Sequence, residues 1–525
     1  MTAVHRASVA IVGSGFGGSI LAQILARLGH DVVLVERGSH PRFAIGESAT
    51  PLASLSLERL ARRYGLRDLL GLSTHGRWLA QLPHLRCGLK RGFTFYRHPP
   101  GQGGPPATES DRLLVAASPD DLVADTHWFR ADVDHHLVRE AVAAGVRYFE
   151  RTDLEQVTID EHRVRAAGRR DGEPVAFDVA HLIDASGPGG FLARALPIGR
   201  EPSRLETRSG LLFGHFAEVP PFAVPVPGDP YPADRAAVHH ILDEGWLYSL
   251  RFDDGVVSAG ALLRPDAGAA LLADGPEAGW RRLLDRYPSL GAQFGGARLA
   301  RPLVWLPAIQ HRLARAAGHR WALLPHAFGF VDPLFSTGMA WTLLGVERIA
   351  AAFEQSGADP FSTRWCERYD ATLHGELDRI DRLVAGAYRV MGDFRRFAAH
   401  TMLYFATVSF AEVRQRIEDR DDRAWDGFLG GDDPALFGEA LDRLGGPGDY
   451  EAWVAERIAP RNVAGLADPA RRNRYPVDLD LLLDRAPLLG HTRESLAALL
   501  PRLRGAEELR RAAGPAAAPG AAPSA

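Results

Sequence analysis

Lysine is almost missing from this chain: the 61 basic residues are 60 arginines and one lysine, Lys90. They are balanced by 65 acidic residues to a formal net charge of −4. No sustained basic run occurs, which argues against a nucleic-acid surface as the main function. On a solvated surface either lysine or arginine can supply the positive charge, so surface charge alone does not require a lysine. The one remaining lysine is therefore either a chance survivor of arginine-biased coding or a position that needs an amine.

Cysteine and long apolar runs are also scarce. Cys87 and Cys366 are too few for a disulfide framework or a cysteine zinc site, so we predict no metal centre. The most apolar stretch, 321–346, contains His326 and Asp332 and is broken by prolines, which argues against a membrane span. The N-terminal residues lack a signal-peptide pattern, and we expect a cytoplasmic protein. A length of 525 residues predicts two or three packed units.

A glycine-rich turn near the N-terminus predicts dinucleotide binding. The β-branched run 8–12 leads into Gly13-Ser14-Gly15-Phe16-Gly17-Gly18, which is followed by an apolar helical pattern and a second strand ending at Glu36. In such a βαβ unit Gly13 permits the tight turn, Gly15 lets the backbone approach a pyrophosphate, and Gly18 lets helix and strand pack closely. Glu36 is placed to accept hydrogen bonds from a ribose hydroxyl.

Three further segments complete a pattern. They are Pro41-Arg42-Phe43-Ala44-Ile45-Gly46-Glu47-Ser48, then Trp128-Phe129-Arg130, and Gly329-Phe330-Val331-Asp332-Pro333-Leu334-Phe335-Ser336-Thr337-Gly338. With the glycine turn, they resemble the flavin-dependent halogenases, specifically the phenol and pyrrole branch of these tryptophan-halogenase-like proteins. That family lies within the glutathione-reductase-type and para-hydroxybenzoate-hydroxylase-like FAD enzymes.

The resemblance implies a set of FAD contacts. It places Arg130 on the adenosine part of FAD and the loop 329–338 beside the isoalloxazine ring. The implied cofactor-binding residues are Gly13, Gly15, Phe16, Gly17, Gly18, Glu36, Arg37, Arg42, Gly46, Glu47, Ser48, Arg130, Asp184, His326, Asp332 and Gly338.

The loop before the helix at 339–355 is also predicted to bind an anion. Its Asp-Pro turn and following Ser-Thr-Gly direct backbone N–H groups and the positive end of a helix dipole at one point. In the halogenases the Thr-Gly amides bind the halide, which implies chloride or bromide at Thr337 and Gly338. A helix cap and a role toward flavin alone remain alternatives.

Lys90 lies in Lys90-Arg91-Gly92-Phe93-Thr94-Phe95, which resembles the context of the essential lysine of halogenases. The resemblance implies that reduced FAD (FADH₂) and O₂ give a flavin hydroperoxide that oxidises halide to hypohalous acid. Lys90 then places the electrophilic halogen against the substrate, through a hydrogen bond or as a haloamine. Burial can lower the pKa of an amine, whereas a guanidinium stays protonated.

Two segments depart from the family pattern. The W-x-W-x-I-P signature, thought to shield substrate from flavin, becomes Trp246 and Tyr248 followed by Leu250 and Arg251. His326 stands where these enzymes have an acid on the ribityl chain, and we expect its imidazole to take that contact. An FAD-dependent monooxygenase or dehydrogenase on the same scaffold is therefore kept as the alternative.

The expected substrate is an electron-rich phenolic, pyrrolic or polyketide-type carbon of specialised metabolism, such as antibiotic biosynthesis, either free or bound to a carrier protein. Phe335 replaces the glutamate of tryptophan halogenases, as in the phenol and pyrrole branch. The base that assists a phenol could be His98, His127 or Glu47. Because no second G-x-G-x-x-G motif occurs, we expect a separate NAD(P)H-dependent flavin reductase as partner, and neither a nucleic acid nor a membrane span.

These segments predict an α/β (α+β) architecture. We expect a discontinuous Rossmann-like FAD-binding domain at 1–200 and 301–350, and an antiparallel sheet on the substrate side at 201–300. A helical C-terminal subdomain at 351–511, expected to close the substrate site, and a disordered tail at 512–525 complete the prediction.

Overall fold

The computed structural model describes residues 3–104, 109–223, 226–355, 359–418, 423–425, 428–431 and 433–504. The predicted tail at 512–525 lies outside the described residues. Within the described ranges, no helix is both long enough and apolar enough to cross a membrane.

The strands are numbered in chain order. They are β1 (Ala3–Val12), β2 (Val32–Val35), β3 (Cys87–Lys90), β4 (Gly92–Arg97), β5 (Arg112–Ala116), β6 (Asp125–Trp128), β7 (Arg147–Phe149), β8 (Thr152–Ile159), β9 (Val164–Arg170), β10 (Glu173–Asp184), β11 (Gly210–Ala217), β12 (Ala237–Ile241), β13 (Gly245–Arg251), β14 (Val257–Leu263), β15 (Arg298–Leu299), β16 (Val304–Leu306), β17 (His311–Arg312), β18 (Ala317–Gly318), β19 (Trp321–Leu323), β20 (Gly329–Phe330) and β21 (Arg474–Tyr475).

The α-helices are numbered in the same way. They are α1 (Phe16–Arg27), α2 (Pro51–Tyr64), α3 (Arg67–Gly71), α4 (His75–Gln81), α5 (Arg130–Ala143), α6 (Phe191–Ala195), α7 (Pro265–Leu271), α8 (Pro276–Arg286), α9 (Pro288–Phe294), α10 (Pro325–Phe328), α11 (Thr337–Gln355), α12 (Thr363–Val390), α13 (Phe394–Ile417), α14 (Leu436–Leu444), α15 (Tyr450–Ile458), α16 (Leu479–Asp484) and α17 (Arg493–Arg504).

The first sheet has the predicted Rossmann-like arrangement. Its path β18-β19-β10-β1-β2-β7 contains parallel pairs of β1 with both β10 and β2. The buried runs Val9–Val12 and Val32–Val35 explain this placement, because strands covered on both faces need apolar side chains throughout. Helix α1 joins β1 to β2, so the glycine turn lies at the carboxyl end of β1, where open α/β sheets bind ligands.

The second sheet extends beyond the predicted segment 201–300. Its path is β15-β11-β14-β13-β12-β4-β5-β21, with β16 on β11. Strands β4 and β5, predicted with the FAD-binding domain, therefore belong to the substrate-side sheet, and β12 pairs with β4 in parallel. The predicted domain boundary was wrong for these strands, because a parallel pair between distant segments leaves no local sequence signal.

Helices α7, α8 and α9 were not predicted inside the region assigned to the sheet. Each begins with a proline, at Pro265, Pro276 and Pro288. Proline suits the first helical turn because its missing N–H would be unpaired there in any case. Trp280 and Phe294 of α8 and α9 pack in the core against Phe216 of β11.

The helices after Gly338 share the main core with both sheets. Ile11 of the first sheet, Trp246 of the second and Leu373 of α12 belong to one cluster of buried apolar side chains. A small separate cluster joins the end of α13 to α16 and α17. Helices α12 and α13 therefore form a wall of the common core and do not make an independent subdomain.

Candidate active site

Glu36 lies at the end of β2 and organises the entrance of the predicted FAD cleft. Its carboxylate accepts hydrogen bonds from Ser14 N at 3.1 Å, Ser14 Oγ at 2.9 Å and Gly38 N at 2.9 Å, and pairs with Arg42 at 3.2 Å. Burial raises the pKa of Glu36, but Arg42 and these donors outweigh it and hold the pKa below its ordinary value. Glu36 is thus an ionised acceptor where the resemblance places a ribose.

The glycine turn makes the close approaches expected of it. Gly13 has a φ of +105°, and a Cβ atom there would lie 2.4 Å from the carbonyl oxygen of Ala185. A Cβ on Gly18 would lie 2.0 Å from the carbonyl oxygen of Gly13, so neither position accepts a side chain. Gly17 packs in the same way against Thr342 of α11. The turn therefore brings β1, α1 and α11 together.

Two guanidinium groups lie beside the glycine turn. A Cβ on Gly15 would lie 3.6 Å from Nη2 of Arg130 and 3.8 Å from Nη2 of Arg42. Arg130 is anchored by Asp134 at 2.7 Å and donates to the carbonyls of Ile45 and Gly46. The helix N-terminus and these cations suit a diphosphate. An adenosine contact by Arg130 stays a prediction.

The cleft beside these residues is open enough for a ligand. Its volume is about 340 Å³, and its lining includes Gly13, Glu36, Arg37, Arg42 and Ser186. Phe16 is buried at the start of α1, under the guanidinium of Arg130, with 4.8 Å between Cζ and the ring centroid. The structure thus places Gly13, Glu36, Arg37 and Arg42 in the lining of one cleft.

Two of the predicted cofactor contacts, Asp184 and Asp332, accept hydrogen bonds from the protein interior. Asp184 accepts hydrogen bonds from Ser186 N, Ser186 Oγ and Leu192 N, which fixes the turn before α6. Asp332 accepts from Trp246 Nε1 and Leu334 N through Oδ1, and from Ser209 and Tyr388 through Oδ2. Both carboxylates are buried and these hydrogen bonds order their loops, while a cofactor contact by Asp184 or Asp332 stays a prediction.

The loop 41–48 meets the loop 329–338. Ser336 Oγ donates to Ser48 Oγ at 3.3 Å, and Ser336 has a φ of +51° in the turn before α11. Glu47 Oε1 lies 3.1 Å from Nε2 of His215, with both side chains 2% exposed. Glu47, a predicted base, is therefore already paired with His215 of β11 in the second sheet.

His326 adjoins the start of α11. A Cβ on Gly338 would lie 2.6 Å from Nε2 of His326, and that buried nitrogen has no hydrogen-bond partner among the described residues. Burial, with His311 and Arg130 nearby, lowers the pKa of His326 to about 3, so the imidazole is neutral. The imidazole is thus neutral beside Thr337 and Gly338, with Nε2 unpartnered among the described residues, and its contact to a ribityl hydroxyl stays a prediction.

The amine of Lys90 is wholly buried. Nζ donates to the carbonyl oxygen of Ala49 at 2.6 Å and lies 4.0 Å from the centroid of the Phe93 ring. Burial lowers the pKa of Lys90 strongly, and the nearby carboxylate of Asp125 only partly offsets it. An amine with a lowered pKa is a nucleophile near neutral pH.

An apolar cavity of about 150 Å³ lies beside Lys90. Strand β5, helices α2, α11 and α13 and the segment 463–482 contribute to its wall, and the lining includes Phe93, Thr337, Tyr404, Phe405, Glu412 and Tyr475. A cavity of this size holds one aromatic ring. Thr337 and Phe93 belong to the same lining, so the predicted halide site and the ring beneath the Lys90 amine face one space.

Trp246 contacts both the flavin loop 329–338 and strand β12, which pairs with β4 near Lys90. Its indole donates to Asp332 in the flavin loop, and its ring stacks on His239 with centroids 5.2 Å apart. His239 in turn stacks on Phe95 at 4.6 Å, beside Lys90. Tyr248, on the same face of β13, has its ring 6.1 Å from that of Trp246. The position suits the predicted shielding role of Trp246 and Tyr248, which stays a prediction.

The structure separates the three candidate bases. His98 lies just beyond the end of β4, bonded to Ser289 and His240, and Glu47 pairs with His215. His127 lies on the β3–β6 ribbon that carries Lys90, where burial and the Lys90 charge lower its pKa to about 3. Of the three, only His127 adjoins Lys90.

Sequence reasoning missed several residues around Lys90. Asp125 and His239 reach it through strand pairing, and Glu412 reaches the cavity from α13. It also overlooked a trio of possible metal ligands at the far end of β3, where Cys87 Sγ donates to Asp253 Oδ2 at 3.0 Å and His75 lies alongside. None of these groupings has a local sequence motif, so they become visible only when the pairing of the strands and the packing of the helices are known.

Comparison with known proteins agrees with this geometry. A family model described as an NAD(P)-binding Rossmann-like domain matches residues 11–63. The chain is 31% identical over 424 residues to monodechloroaminopyrrolnitrin halogenase PrnC of Pseudomonas fluorescens, covering 77% of this chain and 72% of that protein. It belongs to the flavin-dependent halogenases. The prediction of an FAD-dependent oxidoreductase of halogenase type is therefore confirmed.

Other members support the same assignment. Tetracycline 7-halogenase of Kitasatospora aureofaciens is 31% identical over 395 residues, covering 72% of this chain and 69% of that enzyme. The crystal structure of halogenase PltM shares the fold with a TM-score of 0.71 at 24% identity, covering 96% of this chain and 95% of that one. The Rossmann-like fold expected from the glycine turn is confirmed.

Proposed function

We propose that this halogenase uses FADH₂, O₂ and chloride or bromide to halogenate an electron-rich carbon of a phenolic, pyrrolic or polyketide-type substrate through Lys90. One observation carries the proposal: Thr337 and Phe93 line the same cavity, and the buried amine of Lys90 lies against the Phe93 ring. In this proposal the cavity lies between the predicted halide site at Thr337 and the Phe93 ring that contacts the Lys90 amine.

The residues of the cleft fit FAD. Arg42 and Arg130 beside the glycine turn would hold the diphosphate, Glu36 the ribose, and the unpartnered Nε2 of His326 a ribityl hydroxyl. When bound and reduced, FAD supplies with O₂ the oxidant that converts halide to hypohalous acid. The amides at the start of α11, at Thr337 and Gly338, would hold the halide.

Lys90 is proposed to deliver the halogen. Within the described ranges its amine forms one hydrogen bond, to Ala49, and it is desolvated, so a neutral fraction exists near pH 7 to attack hypohalous acid. Arginine would remain protonated at this position. The single lysine thus has a chemical explanation that coding bias alone does not supply.

The cavity lining supports an aromatic substrate. Phe335 stacks on Tyr404 with centroids 4.8 Å apart, and no carboxylate occupies this position, so a ring that needs no external stabilisation of a cationic intermediate is favoured. Relatives point the same way: one solved PltM complex contains phloroglucinol, and the names of two relatives specify monodechloroaminopyrrolnitrin and tetracycline. A substrate attached to a carrier protein is included in the proposal.

The enzyme would depend on other cellular components. We infer a separate NAD(P)H-dependent flavin reductase, since the sequence has one G-x-G-x-x-G motif, occupied by the predicted FAD site. A cytoplasmic location and a role in specialised metabolism complete the proposal.

The test is a bromination assay. Purified protein with FAD, NADH, a flavin reductase, O₂ and bromide should brominate monochlorodimedone or a resorcinol. Lys90→Ala and Lys90→Arg should reduce turnover by at least about a hundredfold, as expected for loss of a nucleophile, while leaving FAD binding unchanged. Oxygenated product formed without halide, and unaffected by Lys90→Arg, would contradict halogenation and favour a monooxygenase.

A further inference from the structure

Asp125 lies directly opposite Lys90 in the two-stranded ribbon formed by β3 and β6. Cross-strand partners present their side chains to the same face with Cβ atoms about 5 Å apart, so the flexible lysine stem can reach the carboxylate. Asp125 is 4% exposed and Lys90 0%. The two side chains therefore share one buried site.

The carboxylate of Asp125 is only half satisfied. Oδ1 accepts a hydrogen bond from Ser54 Oγ at 2.8 Å, whereas Oδ2 is buried and has no partner among the described residues. A buried unpaired carboxylate oxygen is costly unless a donor reaches it in another state of the molecule.

The amine of Lys90 is under-satisfied as well. An ammonium carries three N–H donors, and in the part of the chain that the structure describes it has one hydrogen bond, to Ala49, and the Phe93 ring. Among the described residues, Lys90 thus has free donors and Asp125 a free acceptor, and the two residues are cross-strand partners on the same face of the ribbon.

We propose that Asp125 is the positioning residue of Lys90: the lysine moves between Ala49 O and Asp125 Oδ2, and the carboxylate takes the proton that the ammonium loses. This inference rests on the proposed delivery of halogen by Lys90. Burial raises the pKa of Asp125 and lowers that of Lys90, so the two groups approach each other in proton affinity.

The proton and electron balance is complete. The ammonium N–H bond breaks and its proton moves to Asp125, leaving a neutral amine. The amine lone pair forms an N–X bond as the O–X bond of hypohalous acid breaks, and one amine proton leaves with the hydroxide as water. The substrate carbon then takes the halogen as the N–X electron pair returns to nitrogen, and the displaced ring proton restores the N–H bond. Asp125 then returns its own proton to the amine.

Other titratable groups face the pair from neighbouring elements. His127 on β6 and His239 on β12 have their pKa values lowered to about 3 by burial, so they are neutral. Tyr404, Glu412 and Arg416 face Asp125 from α13, but Arg416 is already paired with Glu412 and Glu58. Asp125 is therefore the anion that acts on Lys90.

Because the chain has a single lysine, the pKa of Lys90 can be measured without an assay of enzyme activity. Growth on ¹³C-lysine labels one side chain, and the pH midpoint of its ¹³Cε NMR signal reports the pKa of Lys90, provided that any purification tag lacks lysine. The wild-type midpoint should lie below the ordinary value of about 10.4. Asp125→Asn should lower it by about one further pH unit or more, because the anion that favours the ammonium is lost. Asp125→Glu should stay near wild type.

Steady-state kinetics provide a second test of the proposal. With bromide and a resorcinol, Asp125→Asn should lower kcat about tenfold or more with little change in KM, and shift the pH profile of kcat, while Asp125→Glu recovers most of the loss. Asp381→Asn is the matched control, because Asp381 is equally buried but binds backbone amides of Glu206 and Thr207. It should alter neither the midpoint nor the profile.

Each outcome decides something. An unchanged Lys90 midpoint in folded Asp125→Asn, or an unchanged pH profile, would overturn the proton exchange even if the enzyme halogenates. A shifted midpoint in a protein that halogenates no surrogate would instead contradict the proposed function. If Asp125→Asn does not fold, Ser54→Ala replaces it: loss of the Oδ1 hydrogen bond should lower the Lys90 midpoint by a smaller amount, and no change would count against the proposal.

Discussion

The carboxylate of Asp332 joins the flavin loop to β13 through Trp246 and to α12 through Tyr388. Burial raises its pKa to about 6, so it is mostly ionised at pH 7 and accepts four hydrogen bonds. Asp332→Asn replaces one carboxylate oxygen, which accepts hydrogen bonds, with an NH₂ group, which would face the N–H or O–H donors that now bind that oxygen. We expect a loss of about 2–3 kcal/mol of unfolding free energy and weaker FAD binding, measured by urea unfolding and flavin fluorescence titration.

Tyr388→Phe is the control for this prediction. It removes one donor from Oδ2, while Ser209 still donates to the same oxygen at 2.8 Å. The expected loss is therefore smaller, about 1 kcal/mol. Equal losses in the two variants would show that acceptor geometry at Asp332 does not order the loop.

Single residues were predictable where they stand out from their chemical background. Lys90 could be recognised because no other lysine competes with it and its neighbours match a family context. Asp125 and His239 could not, since their closeness to Lys90 depends on which strands pair. The four donors that surround Asp332 could not be predicted either, because sequence shows a loop position but not the groups that pack around it.

At the scale of elements, a buried ionic chain ties α2 to α13 and α4. Glu58 of α2 pairs with Arg77 at 2.9 Å and with Arg416 at 3.4 Å. Glu58→Gln removes the carboxylate that pairs with the buried guanidinium of Arg77, whereas Arg416 keeps its pair with Glu412, and we expect a loss of about 3 kcal/mol of unfolding free energy. Chemical denaturation monitored by circular dichroism measures it.

An exposed pair supplies the comparison. Glu354 lies 2.7 Å from Arg63, and both side chains are about one-third exposed. Glu354→Gln should cost at most about 1 kcal/mol, because water screens the pair. A Glu58→Gln variant no less stable than Glu354→Gln would mean that α13 does not depend on this chain.

Element types were easier to predict than element partners. The alternating runs in 205–305 and the long apolar patterns after Gly338 each identified strands or helices, since these patterns are local. The parallel pairing of β4 with β12 and of β21 with β5 could not be read, because it joins segments far apart in the chain. The prolines that open α7, α8 and α9 were a usable signal that the sheet assignment obscured.

For the whole molecule, buried neutral histidines predict acid sensitivity. Burial lowers the pKa to about 3 or 4 in six of them: His98, His127, His181, His239, His326 and His400. Below pH 6.5 the unfolded chain binds protons that the folded protein does not. Stability is therefore full above pH 6.5 and falls with decreasing pH, by about 1.4 kcal/mol per pH unit for each such histidine.

Thermal unfolding between pH 8 and pH 5 tests this prediction. The Tm should be constant above pH 7 and fall by several degrees or more toward pH 5. His400→Gln should reduce the slope, whereas His162→Gln, at an exposed position, should leave it unchanged. A Tm independent of pH over this range would contradict the neutral, buried state of these imidazoles.

The cavity wall also fixes an order of events during synthesis. All predicted FAD contacts lie at or before Gly338, whereas the wall that closes the cavity includes the segment 463–482. The ribosome therefore releases the residues of the predicted cofactor cleft before it releases this part of the cavity lining. A chain ending at residue 462 should therefore bind FAD but release hypohalous acid, which a soluble thiol dye would detect. Degradation of such incomplete chains would protect the cell from this oxidant.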